Sequence, residues 1–200
     1  MLAPMSDPGT AVSHAVSIAL GVGLAAAVGF RVFVPLLVAS IAAYTGHLHL
    51  HEHFAWLGSV AAILMFGVAA VVEVLAYYIP AVDNLLDTLT TPLALVAGTM
   101  VSAAVITDVP PLIQWSTAII AGGGVAAVTQ GGTALVRAKS TAFTAGLGNP
   151  LVSTTEMIAS VVVSTLAVLA PLLALALVIA LCGFVVYLVR HLRRRGRSSQ

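Results

Sequence analysis

Residues 109–136 and residues 157–189 contain no Asp, Glu, Lys or Arg. A charge-free apolar stretch of about 18 residues or more is long enough to cross the roughly 30 Å hydrocarbon core of a bilayer as a helix. The second run is followed at once by Arg190, Arg193, Arg194, Arg195 and Arg197, and a dense basic block beside a span marks the cytoplasmic side. The chain therefore reads as an all-α, polytopic membrane protein with a cytoplasmic C-terminus. Its 60% hydrophobic and 8% charged composition, with mean hydropathy +1.10, excludes a water-soluble domain.

Apolar blocks and their interruptions predict a bundle of about six helices with broken or re-entrant segments. The spans are expected at about 12–30, 54–79, 92–107, 112–136, 151–169 and 172–189, after a disordered lead at 1–10 and before a basic tail at 190–200. The block at 11–45 is too long for one untilted span, and Pro35 suits a break after Arg31. Pro92, the GLGNP string at 146–150 and Pro171 supply further interruptions. Tyr77 and Tyr78 near a span end suit the membrane interface. Six spans place both termini inside, Arg137 and Lys139 in a cytoplasmic loop, and the His47–His53 loop outside. No Lys or Arg precedes Arg31, so the N-terminus lacks the basic region of a signal peptide.

Charges inside such a bundle are expensive and normally face a partner or a hydrated path. Arg31 is the only basic residue before Arg137. It is expected to meet Glu73, or the face carrying Asp83 and Asp87, as a buried charge cluster or pathway. Tyr77 and Asn84 are secondary candidates beside them. Asp83 also fits a helix N-cap, and the acidic group could hold a hard cation through oxygen ligands. Glu156 closes the S/T-x-x-E pattern begun at Ser153, so it reads first as a capping box. Small residues at four-residue spacing, Gly21, Ala25 and Gly29, and Gly123, Ala127 and Gly131, predict close helix packing. His47, His49, His51 and His53 alternate along a loop and are weak candidates for a transition metal. The only cysteine, Cys182, rules out disulfides and cysteine-based metal sites.

An internal repeat is suggested by GVGLAAA at 21–27 and GGGVAAV at 122–128, each in a span that leads to an arginine. EVLA at 73–76 and EMIA at 156–159 form a second pairing. With three spans in each half, the repeats would be inverted, a transporter design. Resemblance of Gly/Ala-rich helices by composition alone is the alternative.

Several strings together resemble the bacterial membrane family called domain of unknown function 4126. They are GFRVFVP at 29–35, EVLAYYIP at 73–80 with DNLLD at 83–87, AGGG at 121–124, and GLGNP at 146–150 with Glu156. The resemblance covers about residues 15–190, with the lead and the histidine loop atypical. It implies a small protein of the bacterial inner membrane and carries no activity. The functional expectation is a small-solute or ion transporter or channel that uses intramembrane charges. The alternative is a membrane scaffold whose buried charges only specify packing. No nucleophile–base motif points to an enzyme, and no cofactor or nucleic-acid partner is expected. The bilayer and an unidentified small solute or ion are the expected partners, with a homo-oligomer left open.

Overall fold

A computed structural model of the protein describes residues 8–107 and 109–197, with backbone alone for 8–11, 80–87, 184–186 and 188–197. The described residues form helices and short links, with no strand. In order these are α1 (Pro8–Phe30), α2 (Phe33–Tyr44), a 3-10 helix (Glu52–Gly58), α3 (Val60–Ala76) and α4 (Pro80–Val105). Next come α5 (Pro111–Thr117), a π-helical segment (Ala118–Gly123), α6 (Gly124–Thr144), α7 (Asn149–Leu169) and α8 (Pro171–Arg197).

Helix α1 is the axis of the bundle. Every residue from Gly21 to Gly29 is buried, because α4, α6, α7 and α8 all pack on it. Its glycines and alanines allow that approach from several sides, which matters where lipid supplies no hydrophobic drive for association. A Cβ at Gly29 would press into the Ala126 carbonyl at 2.6 Å, and one at Gly21 would meet the Ser102 backbone at 3.2 Å. The ladder expected on α6 is displaced. Gly131 is exposed with nothing within 4 Å, and Ala127 is half-buried. The face that packs carries Gly122, Ala126, Thr129, Gln130, Thr133 and Arg137. Strict four-residue spacing drifts by about 40° per step on a helix of 3.6 residues per turn, so 123–127–131 turns away from the neighbours.

Side-chain pairings set the helix directions. Ser102 Oγ donates to the Gly21 carbonyl at 2.9 Å, while Thr90 and Gln130 pair at the other end of α4 at 2.9 Å. Ser160 Oγ donates to the Ala27 carbonyl at 3.1 Å, and Arg31 reaches Ser153 at 3.0 Å. Thus α4 and α7 run antiparallel to α1, and α6 runs parallel to it. The His51 N–H donates to the Ala104 carbonyl at 2.8 Å, which seats the histidine loop at the C-terminal end of α4. Gln114 caps that same end through the Ala103 and Ile106 carbonyls, satisfying acceptors that a helix end leaves open. Ala174 approaches Gly23, and Val178 then packs with Ala26 and Ala27, so α8 climbs back along α1.

The bundle therefore has a loop end, near residues 47–53 and 106, and a cluster end, near Arg31 and Arg137. Helix α1 begins towards the loop end and α8 finishes at the cluster end. The first and last described helices thus start and finish at opposite ends of the bundle. The reason is α2, which runs from the cluster end to the loop end as an additional traverse.

Among the described residues, four helical stretches are long and apolar enough to cross a membrane, and a fifth is obtained if the 3-10 helix and α3, bent by 66°, form one broken span. Phe33–Tyr44 is a shorter apolar helix, and Pro171–Gly183 is the apolar first part of α8. Pro92 lies inside α4 and does not begin a span; the acidic segment is continuous with the helix after it. Asp83 is correspondingly helical and is not the N-cap, which is Ile79. Helix α6 continues past Arg137 to Thr144, so Arg137 lies within a helix. Large apolar side chains such as Val68, Leu75, Ile120 and Leu169 point outwards, a surface suited to lipid.

Candidate functional site

The chain between α1 and α2 is non-helical for two residues, Arg31 and Val32. Pro35 tolerates this position because it falls in the first turn of α2, where a missing N–H is harmless. The break frees the backbone N–H groups that begin α2, and in a membrane these need an internal acceptor. Glu73, from the last turns of α3, supplies it. Its Oε1 accepts from Val32 N–H at 2.8 Å and its Oε2 from Phe33 N–H at 3.1 Å. A carboxylate at a helix N-terminus is also favoured by the helix dipole.

Arg31 is fully buried, at 1% exposure. Its Nη2 donates to the carbonyl and hydroxyl of Ser153 and lies 3.5 Å from Glu156 Oε2. Glu156 is held from the other side by Arg137, whose Nε donates to Oε1 at 3.2 Å and whose Nη2 pairs with Oε2. This bidentate geometry is the strong form of an arginine–carboxylate contact. The guanidinium carbons of Arg31 and Arg137 lie 3.9 Å and 4.1 Å from the centre of the Tyr77 ring, in range of cation–π attraction. The Tyr77 hydroxyl bonds Thr90 Oγ1 at 3.2 Å, which accepts from Gln130 Nε2 at 2.9 Å. Two arginines, two glutamates and a tyrosine from the α1–α2 break, the end of α3, α6 and α7 thus meet in one buried place.

The pairing expected from the sequence is rearranged. Arg31 and Glu73 share the cluster, but the ion pair of Arg31 goes to Glu156 while Glu73 holds backbone. The capping-box reading of Glu156 is corrected. Pro150 already lies in the first turn of α7, with Gly148 as N-cap, so Ser153 and Glu156 sit inside the helix and face Arg31. Tyr77 lies in the cluster at 3% exposure, and it is Tyr78, 45% exposed, that reaches an outer face and bonds Thr154. Arg137 and Ser153 are cluster members that sequence reasoning did not single out. The repeat-like strings did contain a signal, since the second pairing matches Glu73 with Glu156 and the first lies in helices that lead to Arg31 and to Arg137. The side chains of Asp83, Asn84 and Asp87 lie outside the described residues.

His47, His49, His51 and His53 do not assemble into a metal site. His51 accepts from the His53 N–H and their rings are 5.0 Å apart, but among the described residues no three His, Cys, Asp or Glu side chains gather. A separate cavity of about 190 Å³ lies between α2, the 3-10 helix, α3 and α4. Its lining is apolar, including Phe33, Phe54, Trp56, Met65 and Phe66, and contains none of the four cluster charges.

Fold and site together define a polytopic α-helical membrane protein organised around a buried arginine–glutamate cluster. The chain belongs to the family described as Domain of unknown function (DUF4126), whose sequence model matches residues 18–191. No curated protein and no solved structure matches it.

Proposed function

We propose that the protein is a bacterial inner-membrane transporter or channel for a small solute or ion, with the Arg31–Glu73–Arg137–Glu156 cluster as its selective element. The observation that carries this reading is the meeting of four ionisable side chains at a helix break inside the bundle. Such residues are costly within a membrane and mark ion and solute paths, and broken helices are how many transporters present backbone and charge together. The cluster end, which carries Lys139 and the finish of α8, faces the cytoplasm by the bias of basic residues.

A flux assay tests this. Purified protein in proteoliposomes should support movement of protons or of members of a cation and anion panel above empty-vesicle rates, and Arg137→Gln should suppress it. Absence of flux for the whole panel would favour the scaffold reading. That second reading draws on a specific feature: both Glu73 oxygens are already satisfied by backbone, as a purely architectural carboxylate would be.

A further inference from the structure

The apolar cavity of about 190 Å³ has two kinds of wall. Val32 and Leu36 beside the helix break, Phe66 of α3 and Val101 of α4 line it and are buried. Trp56, Met65, Leu93, Val96 and Met100 line it as well, yet are 39–51% exposed. The cavity therefore has a buried floor and a mouth, and the mouth lies on the outward apolar surface suited to lipid. A cavity lined by hydrocarbon stays dry and takes up apolar groups even at about 150 Å³. A polar solute entering from water would lose its hydrogen bonds here and find none in return.

Depth selects the occupant. The spanning part of α4 is Thr88–Val105, and its Val105 end is the loop end of the bundle, where His51 bonds Ala104. At about 1.5 Å rise per residue, Met100 lies about 7 Å and Leu93 about 18 Å in from Val105. One leaflet contributes about 15 Å of the roughly 30 Å hydrocarbon core, so the mouth lies alongside the acyl chains of the leaflet at the loop end. Trp56, whose ring packs on Phe66 at 6.2 Å, stands at the rim nearest that end, where tryptophan suits the membrane interface. A helix from another protein, about 10 Å across, is too wide to enter. A single alkyl chain is not.

We infer that the cavity binds one acyl chain of a membrane phospholipid, inserted sideways from the leaflet at the loop end. Val32 and Phe33, whose N–H groups Glu73 holds, form part of its wall. The chain therefore packs on the start of α2, and lipid in this site braces the break that carries Arg31. The site goes beyond the transport reading and does not depend on it.

The test uses the full-length protein with Trp115→Phe, which leaves Trp56 as the one tryptophan, purified in dodecyl maltoside. The probe is phosphatidylglycerol with two bromine atoms in the middle of one acyl chain, a contact quencher of indole fluorescence. Trp56 emission should fall along a saturating curve that ends at one lipid per protein. Unbrominated phosphatidylglycerol of the same chain length should reverse the loss. Dihexanoyl phosphatidylglycerol, with the same headgroup and chains too short to reach the floor, should not. Ala97→Leu fills the site from α4 and should abolish the saturating loss. Val96→Phe narrows the mouth from an outward-facing position and should do the same, and it carries the test if the buried change impairs folding. Val72→Phe, also outward on α3 but away from the cavity, should keep the saturating loss. Saturating unbrominated lipid should raise the melting temperature of the parent protein more than that of Val96→Phe, as a ligand of the folded state does.

Quenching that grows in proportion to lipid without saturating overturns the inference, as does quenching unchanged in Val96→Phe. Reversal by dihexanoyl phosphatidylglycerol would place the contact at the headgroup and overturns the inserted chain. Equal lipid shifts of melting temperature in parent and Val96→Phe overturn the bracing of α2. Quenching that disappears as protein concentration rises, with a dimer seen by light scattering, gives the mouth to a second copy and overturns the lipid site.

Discussion

Glu73 and Val32 are 41 residues apart in the chain, and the Glu73 carboxylate accepts the Val32 N–H at 2.8 Å. Through this bond and its companion to Phe33, the end of α3 fixes the start of α2. Replacing a capping side chain by alanine costs about 0.5–2 kcal/mol, and a buried N–H left unmet costs about 1–3 kcal/mol. Glu73→Ala should therefore destabilise the protein by about 1–3 kcal/mol, read as a shifted unfolding midpoint in detergent. Glu73→Gln, which keeps one carbonyl acceptor, should lose about half as much. Equal losses would show that the negative charge, rather than the cap, is what α2 requires.

Arg137 and Glu156 form a bidentate ion pair, closer than that of Arg31 with Glu156. Removing one partner strands a buried charge and costs about 3–5 kcal/mol. Arg137→Ala and Glu156→Ala should each sharply lower the yield of folded, monodisperse protein. In a double-mutant cycle their coupling should approach the upper part of the roughly 0.5–3 kcal/mol range for contacting residues. The Arg31–Glu73 cycle should give a smaller value, since those side chains share a site without a direct bond. The reverse order would mean that the bonds seen here are not the ones that stabilise the cluster.

Two glycines on one continuous helix should respond in opposite senses. A Cβ at Gly122 collides with Ser102 and crowds the Gly98 carbonyl at 2.9 Å, whereas one at Gly131 meets nothing within 4 Å. Gly122→Ala should cost about 1–3 kcal/mol through overpacking. Gly131→Ala should be neutral or stabilise by up to about 1 kcal/mol through helix propensity. Thermal unfolding of the two variants side by side checks the pair.

Membrane sidedness gives a test that needs no functional assay. In a Cys182→Ala background, single cysteines replacing Ser13 and His49 should react with a membrane-impermeant maleimide from the same side. A cysteine replacing Lys139 should react from the opposite side, together with a reporter fused after Gln200. Labelling of Ser13→Cys and His49→Cys from opposite sides would remove α2 as a separate traverse and restore an even number of crossings.

The membrane class, the helical content and the family were legible in the chain, because charge-free apolar runs leave a backbone in lipid no alternative but helix. Arg31, Glu73 and Tyr77 were also legible as unusual residues, since a titratable or polar side chain stands out against such a background. Their partners were not. Arg137 reads as the start of a cytoplasmic loop and Ser153–Glu156 as a capping box, because both readings use only local neighbours. It is the packing of α6 and α7 against α1, set by Gly29 against Ala126 and Ser160 against Ala27, that carries those residues to Arg31. Spacing alone was equally silent on α2. Twelve apolar residues after a break look like a fragment of a span, and only the Glu73 bonds at one end and the His51 bond to Ala104 at the other show it running the length of the bundle. Sequence determines which segments must leave water; which charges then face one another is decided by long-range contacts that no local pattern encodes.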